Sequence, residues 1–299
     1  MDNAKGYKAF KPGMICKDKQ YAENTDYEEV GGKICEKGMM HYCVNPFDVL
    51  NFYDLVDESG KFSDFAEVKA LDQPISGSDG KFATKKLHIG AKLSFAGFIN
   101  ACIDYTKEQT IVNMPKSDVT TGNPAQIDSS GNPAQIGSSG NSAQIGSLGD
   151  YAKIGSSGDY AQIGSSGYSA QIGSSGNSAK IGSSGNYAKI GSSGNYAQIG
   201  SSGYSAQIGS SGNYAQIGSS GNSAQINSTG VDSVICCAGH GCTVKAKIGS
   251  WITLAEWEYS EEKGRSVPRC VKTEYVDGEK IKADTRYRLK NGEFVEVDG

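Results

Sequence analysis

The sequence predicts a mainly β protein: a parallel β-solenoid of nonapeptide repeats, about two per coil, with an α+β N-terminal domain and a small β C-terminal cap. Three observations carry this. A nine-residue unit, N-(S/Y/P)-A-(Q/K)-I-G-S-S-G, runs from Gly122 to Gly230. Its Ala and Ile positions never slip phase. The flanks lack the repeat and carry ordinary globular patterning. The expected boundaries are residues 1–118, 119–239 and 240–299.

Isoleucine recurs at Ile127, Ile136, Ile145 and every ninth position to Ile226, and Ala125 to Ala224 keep the same step. Ile235 extends the phase once more in a degenerate repeat. A disordered linker has no reason to hold isoleucine at one spacing, although Gly, Ser, Asn and Gln dominate the tract. Ala-Gln-Ile alternates apolar, polar, apolar, which is the period of a half-buried strand. Ala and Ile should point inward and Gln or Lys outward, in a column with Lys153, Lys180 and Lys189. Gly-Ser-Ser-Gly should form the turn, with glycine supplying positive φ. Residues 150–185 match residues 186–221 at an offset of 36, which is four repeats or two coils. Six coils at about 4.8 Å would span roughly 30 Å. Such a thin core depends on stacking, and its open ends need caps, for which the flanks are candidates.

In the N-terminal flank, Asn45-Pro46 marks a helix start. Phe65 to Leu71 reads as a strand, and Leu87-His88-Ile89 begins another. Ser94 to Glu108 reads as an amphipathic helix that buries Phe95, Phe98, Ile99, Cys102 and Ile103. After the repeats, Trp251 to Trp257 reads as a strong strand. Asp277-Gly278 and Asn291-Gly292 read as two-residue hairpin turns. Leu254-Ala255-Glu256-Trp257 echoes Phe65-Ala66-Glu67-Val68, as though the flanks pair in one sheet.

Composition narrows the function. The 29 Lys and Arg against 33 Asp and Glu give a net charge of −4, without the clustered positive charge of nucleic-acid binders. No apolar run approaches a membrane span, and the N-terminus reads as lacking a secretory signal. A cytoplasmic setting with reduced thiols is therefore expected for the eight cysteines. Cys16, Cys35, His41 and Cys43, and the denser Cys236, Cys237, His240 and Cys242, are the groups to test for zinc. The first lacks a C-x-x-C pair, and adjacent thiols in a strand face opposite ways, so neither metal nor cofactor is expected. Calcium-binding nonapeptides need an Asp in most repeats, and an ice-binding face would favour outward threonines; both are disfavoured. DNA mimicry is disfavoured because the tract is neutral. No P-loop, G-x-S-x-G, H-E-x-x-H or dinucleotide fingerprint occurs.

The tract's best functional clue is Tyr151, Tyr160, Tyr168, Tyr187, Tyr196, Tyr204 and Tyr214, beside outward glutamines such as Gln162 and Gln198. Tyrosines among Asn, Ser and Gly form a contact surface at low entropy cost. The alternative is a structural ladder of stacked rings.

Gly6 to Phe10, Cys35 to Leu50 and Val276 to Thr285 resemble segments of an uncharacterised family of bacterial phage and prophage proteins, many with nonapeptide tracts between them. The resemblance implies no activity. Asn141 to Gly146 is also similar to the repeats in trimeric autotransporter adhesin heads, which are longer. Gly38 to Tyr53 is distantly similar to the strand–helix region of ADP-ribosyltransferases, without a catalytic His or Glu placed beside it. The expectation is a non-catalytic binding or scaffold protein in a bacterial host cytoplasm, with counter-defence as a candidate role. Its partner would be a host protein or another copy of itself, in a homo-oligomer. The alternatives are a transferase-like enzyme and an adhesin-like or structural phage component.

Overall fold

The computed structural model describes residues 5–31, 38–57, 60–77, 80–113, 126–131 and 133–297. The N-terminal domain is a seven-stranded antiparallel sheet. Its strands are β1 (Lys5–Phe10), β4 (Thr25–Glu28), β5 (Met40–Cys43), β6 (Asp64–Ala70), β7 (Ile75–Ser76), β8 (Lys81–Thr84) and β9 (Lys86–Leu93), in the order β4-β9-β6-β1-β5-β8-β7. β2 (Ile15–Cys16) and β3 (Lys19–Gln20) form a separate hairpin. Asn45 caps a 3-10 helix over Pro46–Asn51, its side chain accepting from the Phe47 amide. The helix α1 spans Phe95–Asn113. One sheet face packs Ala9, Phe47 and Phe65 against Phe98 and Ile99 of α1. The other buries Phe10, Tyr42, Val68 and Leu87.

Twelve four-residue strands follow, from β10 (Gln126–Ser129) and β11 (Gln135–Ser138) to β21 (Gln225–Ser228), one in every repeat. Each pairs in parallel with the strand 18 residues on, Ile over Ile and Ser over Ser. Two repeats therefore make one coil, and alternate repeats build two separate sheets. β22 (Val234–Cys237), β23 (Thr243–Lys245) and the start of β24 (Trp251–Ser260) continue the parallel ladders. The solenoid thus makes about seven turns over residues 126–254, one more than the repeats alone imply. Cys237, Cys242, Val244 and Ile252 carry the core phase past the last regular repeat.

Two expectations about the repeat need correction. The interior holds Ala, Ile and also the first Ser after the glycine: Ser156, Ser174 and Ser192 are fully buried, and their hydroxyls find no partner. The turn's left-handed residue is not glycine. It is the Ser or Tyr before the alanine, with φ of 53–58° at Ser169, Ser178 and Tyr187. The last glycine of each repeat answers to stacking instead. A Cβ on Gly185 would stand 1.9 Å from the carbonyl oxygen of Gly167, one coil below. The preceding Asn or Asp explains the rest of the turn. Its Oδ1 accepts the amide of the corresponding residue in the next coil, as from Asp159 to Asn141 at 2.9 Å and from Asn213 to Asn195 at 2.9 Å.

The flanks also do different work from each other. β24 turns antiparallel with β25 (Arg265–Tyr275), while β26 (Arg286–Lys290) pairs antiparallel with β23 and then β27 (Glu293–Glu296). These two hairpins end both sheets, and the edge strand β25 carries Pro268, Arg269 and Lys272, which discourage further pairing. The N-terminal domain instead lies along one broad face of the solenoid. The flanks do not share a sheet, so the echo between Phe65–Val68 and Leu254–Trp257 is not a pairing. Asn291-Gly292 is the expected hairpin turn, with both residues at positive φ. Asp277-Gly278 is a local turn instead: the Asp277 carboxylate accepts the Glu279 and Ile281 amides.

Candidate functional site: the uncovered solenoid face

Each strand Gln-Ile-Gly-Ser turns its Gln (or Lys) and Gly outward, so each sheet carries a column of glycines beside a column of amides or amines. On the sheet containing β11, both columns are occupied by the N-terminal domain. Ile103 of α1 lies against Gly155, Ile99 against Gly173 and Gly191, and Phe95 and Phe62 against Gly209. Four helical residues rise about 6 Å and one coil about 4.8 Å, so successive turns of α1 meet successive coils. The neighbouring column grips residues 48–60. Lys153 pairs with Asp48. Gln171 donates to Asn51 Oδ1 at 3.3 Å, Lys189 to the Leu50 carbonyl at 2.5 Å, and Gln207 accepts the Leu55 amide at 3.1 Å. Further on, Asn227 donates to the Gly60 carbonyl at 3.0 Å. Burial beneath the domain pushes the Lys189 amine below its ordinary pKa, against the pull of Asp54. Lys153 and Lys189, expected in a solvent column with Lys180, are therefore internal clamps.

The opposite sheet has the same columns and, among the described residues, no cover. A Cβ on Gly164, Gly182, Gly200 or Gly218 would meet nothing within 4 Å. These glycines floor a shallow groove along the solenoid axis. One wall is Gln126, Gln144, Gln162, Lys180, Gln198 and Gln216, with Gln126 donating to Gln144 at 3.1 Å. The other is the exposed serine column. At the C-terminal end the amide wall turns apolar: Val234 follows Gln216, Trp251 pairs with Val234, and Tyr275 pairs with Trp251. All three are exposed, with the Trp251 and Tyr275 rings 5.1 Å apart. The face thus joins a glycine groove to an aromatic end. The nine-residue step alone does not reveal Trp251, because Ile252 stacks on Ile235 only 17 residues earlier, one short of a regular coil.

Gln162 and Gln198 lie on this face, but the tyrosines do not. They sit at the turns, 41–63% exposed, on the two opposite edges. Tyr151, Tyr168, Tyr187 and Tyr204 form one ladder, with ring centroids 5.2–5.9 Å apart. Tyr196 and Tyr214 stack on the other edge at 5.0 Å, where Tyr160 also falls. The tyrosine rings are thus exposed and also stacked. Tyr168 and Tyr204 occupy the Asn position, so their neutral replacement is Asn; Ser suits Tyr151 and Tyr187.

The cysteine groups separate. Cys236 is exposed on the uncovered face, while Cys237 is in the core, its thiol pushed up by a hydrogen bond to Cys242 and by burial. Among the described residues no group of three or more His, Cys, Asp or Glu is placed to hold a metal ion. Cys35 and Ala125 lie outside the described residues. The Gly38–Tyr53 segment comprises β5 and the 3-10 helix, ending at Tyr53, whose hydroxyl donates to Cys16 Sγ at 3.0 Å. Among the described residues no helix is long and apolar enough to cross a membrane.

The fold and this face define a β-solenoid with a lateral sheet domain. A family model described as a domain of unknown function, DUF7666, matches residues 4–101, the sheet domain and the start of α1. No curated protein and no solved structure matches the chain.

Proposed function

We propose that the protein is a non-catalytic binding or scaffold protein that presents its uncovered solenoid face to a protein partner, and that the partner docks an amphipathic helix along the glycine groove. The observation that carries this is the covered face. There the same glycine column already seats a helix by its Ile103, Ile99 and Phe95 side chains. The open column repeats that seat over four glycines, and Val234, Trp251 and Tyr275 add an apolar anchor of the kind that dominates interface energies. The groove holds few charges, so binding should depend weakly on salt. The resemblance of the terminal segments to phage and prophage proteins supports a bacterial host protein as that partner.

The test uses the exposed Cys236 thiol as an anchor for a photo-crosslinker in host lysate. Gly164→Glu and Gly200→Glu place a carboxylate where there is room, so the coil should fold while crosslinked partners disappear. Replacing Tyr151 and Tyr187 by Ser and Tyr204 by Asn should leave them. The expected captured segment is a helix, identified by mapping the crosslinked peptide. Capture unaffected by the glutamates, but lost in the tyrosine variant, moves the interface to the coil edge. Light scattering that shows a dimer dissolved by the glutamates makes the partner a second copy.

A further inference from the structure

A second site lies in the sheet domain, beside the strand pair β1 and β5. β1 and β5 meet at one residue pair, Tyr7 with Cys43. Beside that pair is a cavity of about 290 Å³. Lys8, from the middle of β1, projects into it and donates to the His41 carbonyl at 2.8 Å, bridging the two strands. The residue is only 6% exposed. Its Nζ stands 5.5 and 5.7 Å from the Phe10 and Tyr21 rings and feels the charge of Cys16, the thiol that receives the Tyr53 hydroxyl.

This is a costly place for an ammonium group. Burial lowers the Lys8 pKa, Cys16 and Cys43 oppose the shift, and Lys17 adds to it. The titratable groups that face it are Cys16 and Lys17 from the β2 turn, Cys43 and His41 of β5, and Tyr21 and Tyr53. A desolvated lysine beside a second cation is the arrangement that frees an amine lone pair near neutral pH. Phe52 and Tyr53 supply flat apolar walls, and Lys17 and Lys81 also line the cavity.

We propose that this cavity binds a small aromatic aldehyde or ketone carrying an anionic group, and that Lys8 captures it as a Schiff base. The neutral Nζ attacks the carbonyl carbon and forms the C–N bond as the C=O π bond opens and one N–H proton passes to the oxygen. The resulting carbinolamine loses its hydroxyl with the nitrogen's remaining proton as water, leaving C=N. No oxidant or reductant is consumed. The anionic group would sit towards Lys17 and Lys81, and the ring against Phe52 and Tyr53.

The test treats the full chain with 2-carboxybenzaldehyde or benzaldehyde at pH 7, traps imines with cyanoborohydride, and maps labelled lysines by peptide mass spectrometry. Lys8 should label faster than exposed Lys11 and Lys263, because burial leaves more of its amine neutral. Its pH profile should rise below that of those lysines, and the carboxylated probe should outrun benzaldehyde at Lys8 only. Lys17→Asn suits the left-handed backbone there, φ 55°, and should slow Lys8 labelling with the fold intact by circular dichroism. Lys8 labelling no faster than Lys263 across the pH range would overturn the proposal and leave Lys8 as a strand bridge. Equal rates for the two probes, with Lys8 still fast, would remove the anionic group from the ligand.

Discussion

Each glycine in the repeat has its own reason to be glycine, and the reasons predict opposite outcomes three residues apart. Gly182 faces open solvent, with nothing within 4 Å of a Cβ, whereas Gly185 has the Gly167 carbonyl at 1.9 Å. Neither needs positive φ, which belongs to Ser178 and Tyr187. Gly182→Ala should therefore be neutral or stabilise by about 0.4–1 kcal/mol, through the unfolded chain's lost freedom. Gly185→Ala must push two coils apart, and should cost about 3 kcal/mol or more. Denaturant melts of the two variants check this. Equal stabilities would mean that coil spacing, and not backbone freedom, has been misjudged.

At the scale of elements, α1 and the 48–60 segment are seated by spacing, and the C-terminal hairpins by charge. Glu256 on β24 accepts the amides of Asn291 at 2.9 Å and Gly292 at 2.8 Å, and pairs with Arg269 at 3.1 Å. The two amides, then Arg269, hold its carboxyl below the usual carboxylate range. A depressed folded-state pKa stabilises the carboxylate form. The contribution is complete above the unfolded value near 4.5 and is lost as pH falls through the lower folded value. The Asn291 and Gly292 amide resonances should accordingly titrate with a midpoint under 4.5, and in Glu256→Gln this titration should vanish. A midpoint at or above the ordinary glutamate value would show that the turn is not held by this carboxylate.

For the whole molecule, the decisive number is two repeats per coil. Deleting residues 159–176 removes one coil, preserves the sheet assignment of every later strand, and should yield a folded protein about 4.8 Å shorter. Some contact would be lost where Gly60 meets Asn227. Deleting residues 159–167 alone removes half a coil. Every later strand then changes sheet: Asn227 leaves the covered face, and β24 and β26 exchange sides beneath their hairpins. That variant should lose cooperative unfolding or aggregate, as read by circular dichroism and light scattering. A well-folded nine-residue deletion would contradict the assignment of alternate repeats to different faces.

The sequence by itself determined the solenoid. Ile at every ninth residue from Ile127 to Ile226, with Ala two before it, can be buried only by a coil that repeats in step, and identical residues then stack on themselves. The helix at Phe95, the strands at Phe65 and Leu87 and the Asn291-Gly292 turn were legible for the same local reason, periodicity and turn chemistry. What only the tertiary structure decided is which face is free. Lys153 and Lys180 stand in the same repeat position, yet one is clamped on Asp48 and the other faces solvent. Odd and even repeats are nearly identical in sequence, so nothing local distinguishes them; the difference arises from where α1 lands. The same holds for Lys8, whose cavity depends on two strands separated by 33 positions in the chain. Short-range patterning specifies what each strand buries. Long-range packing alone specifies which of two equal faces the sheet domain covers.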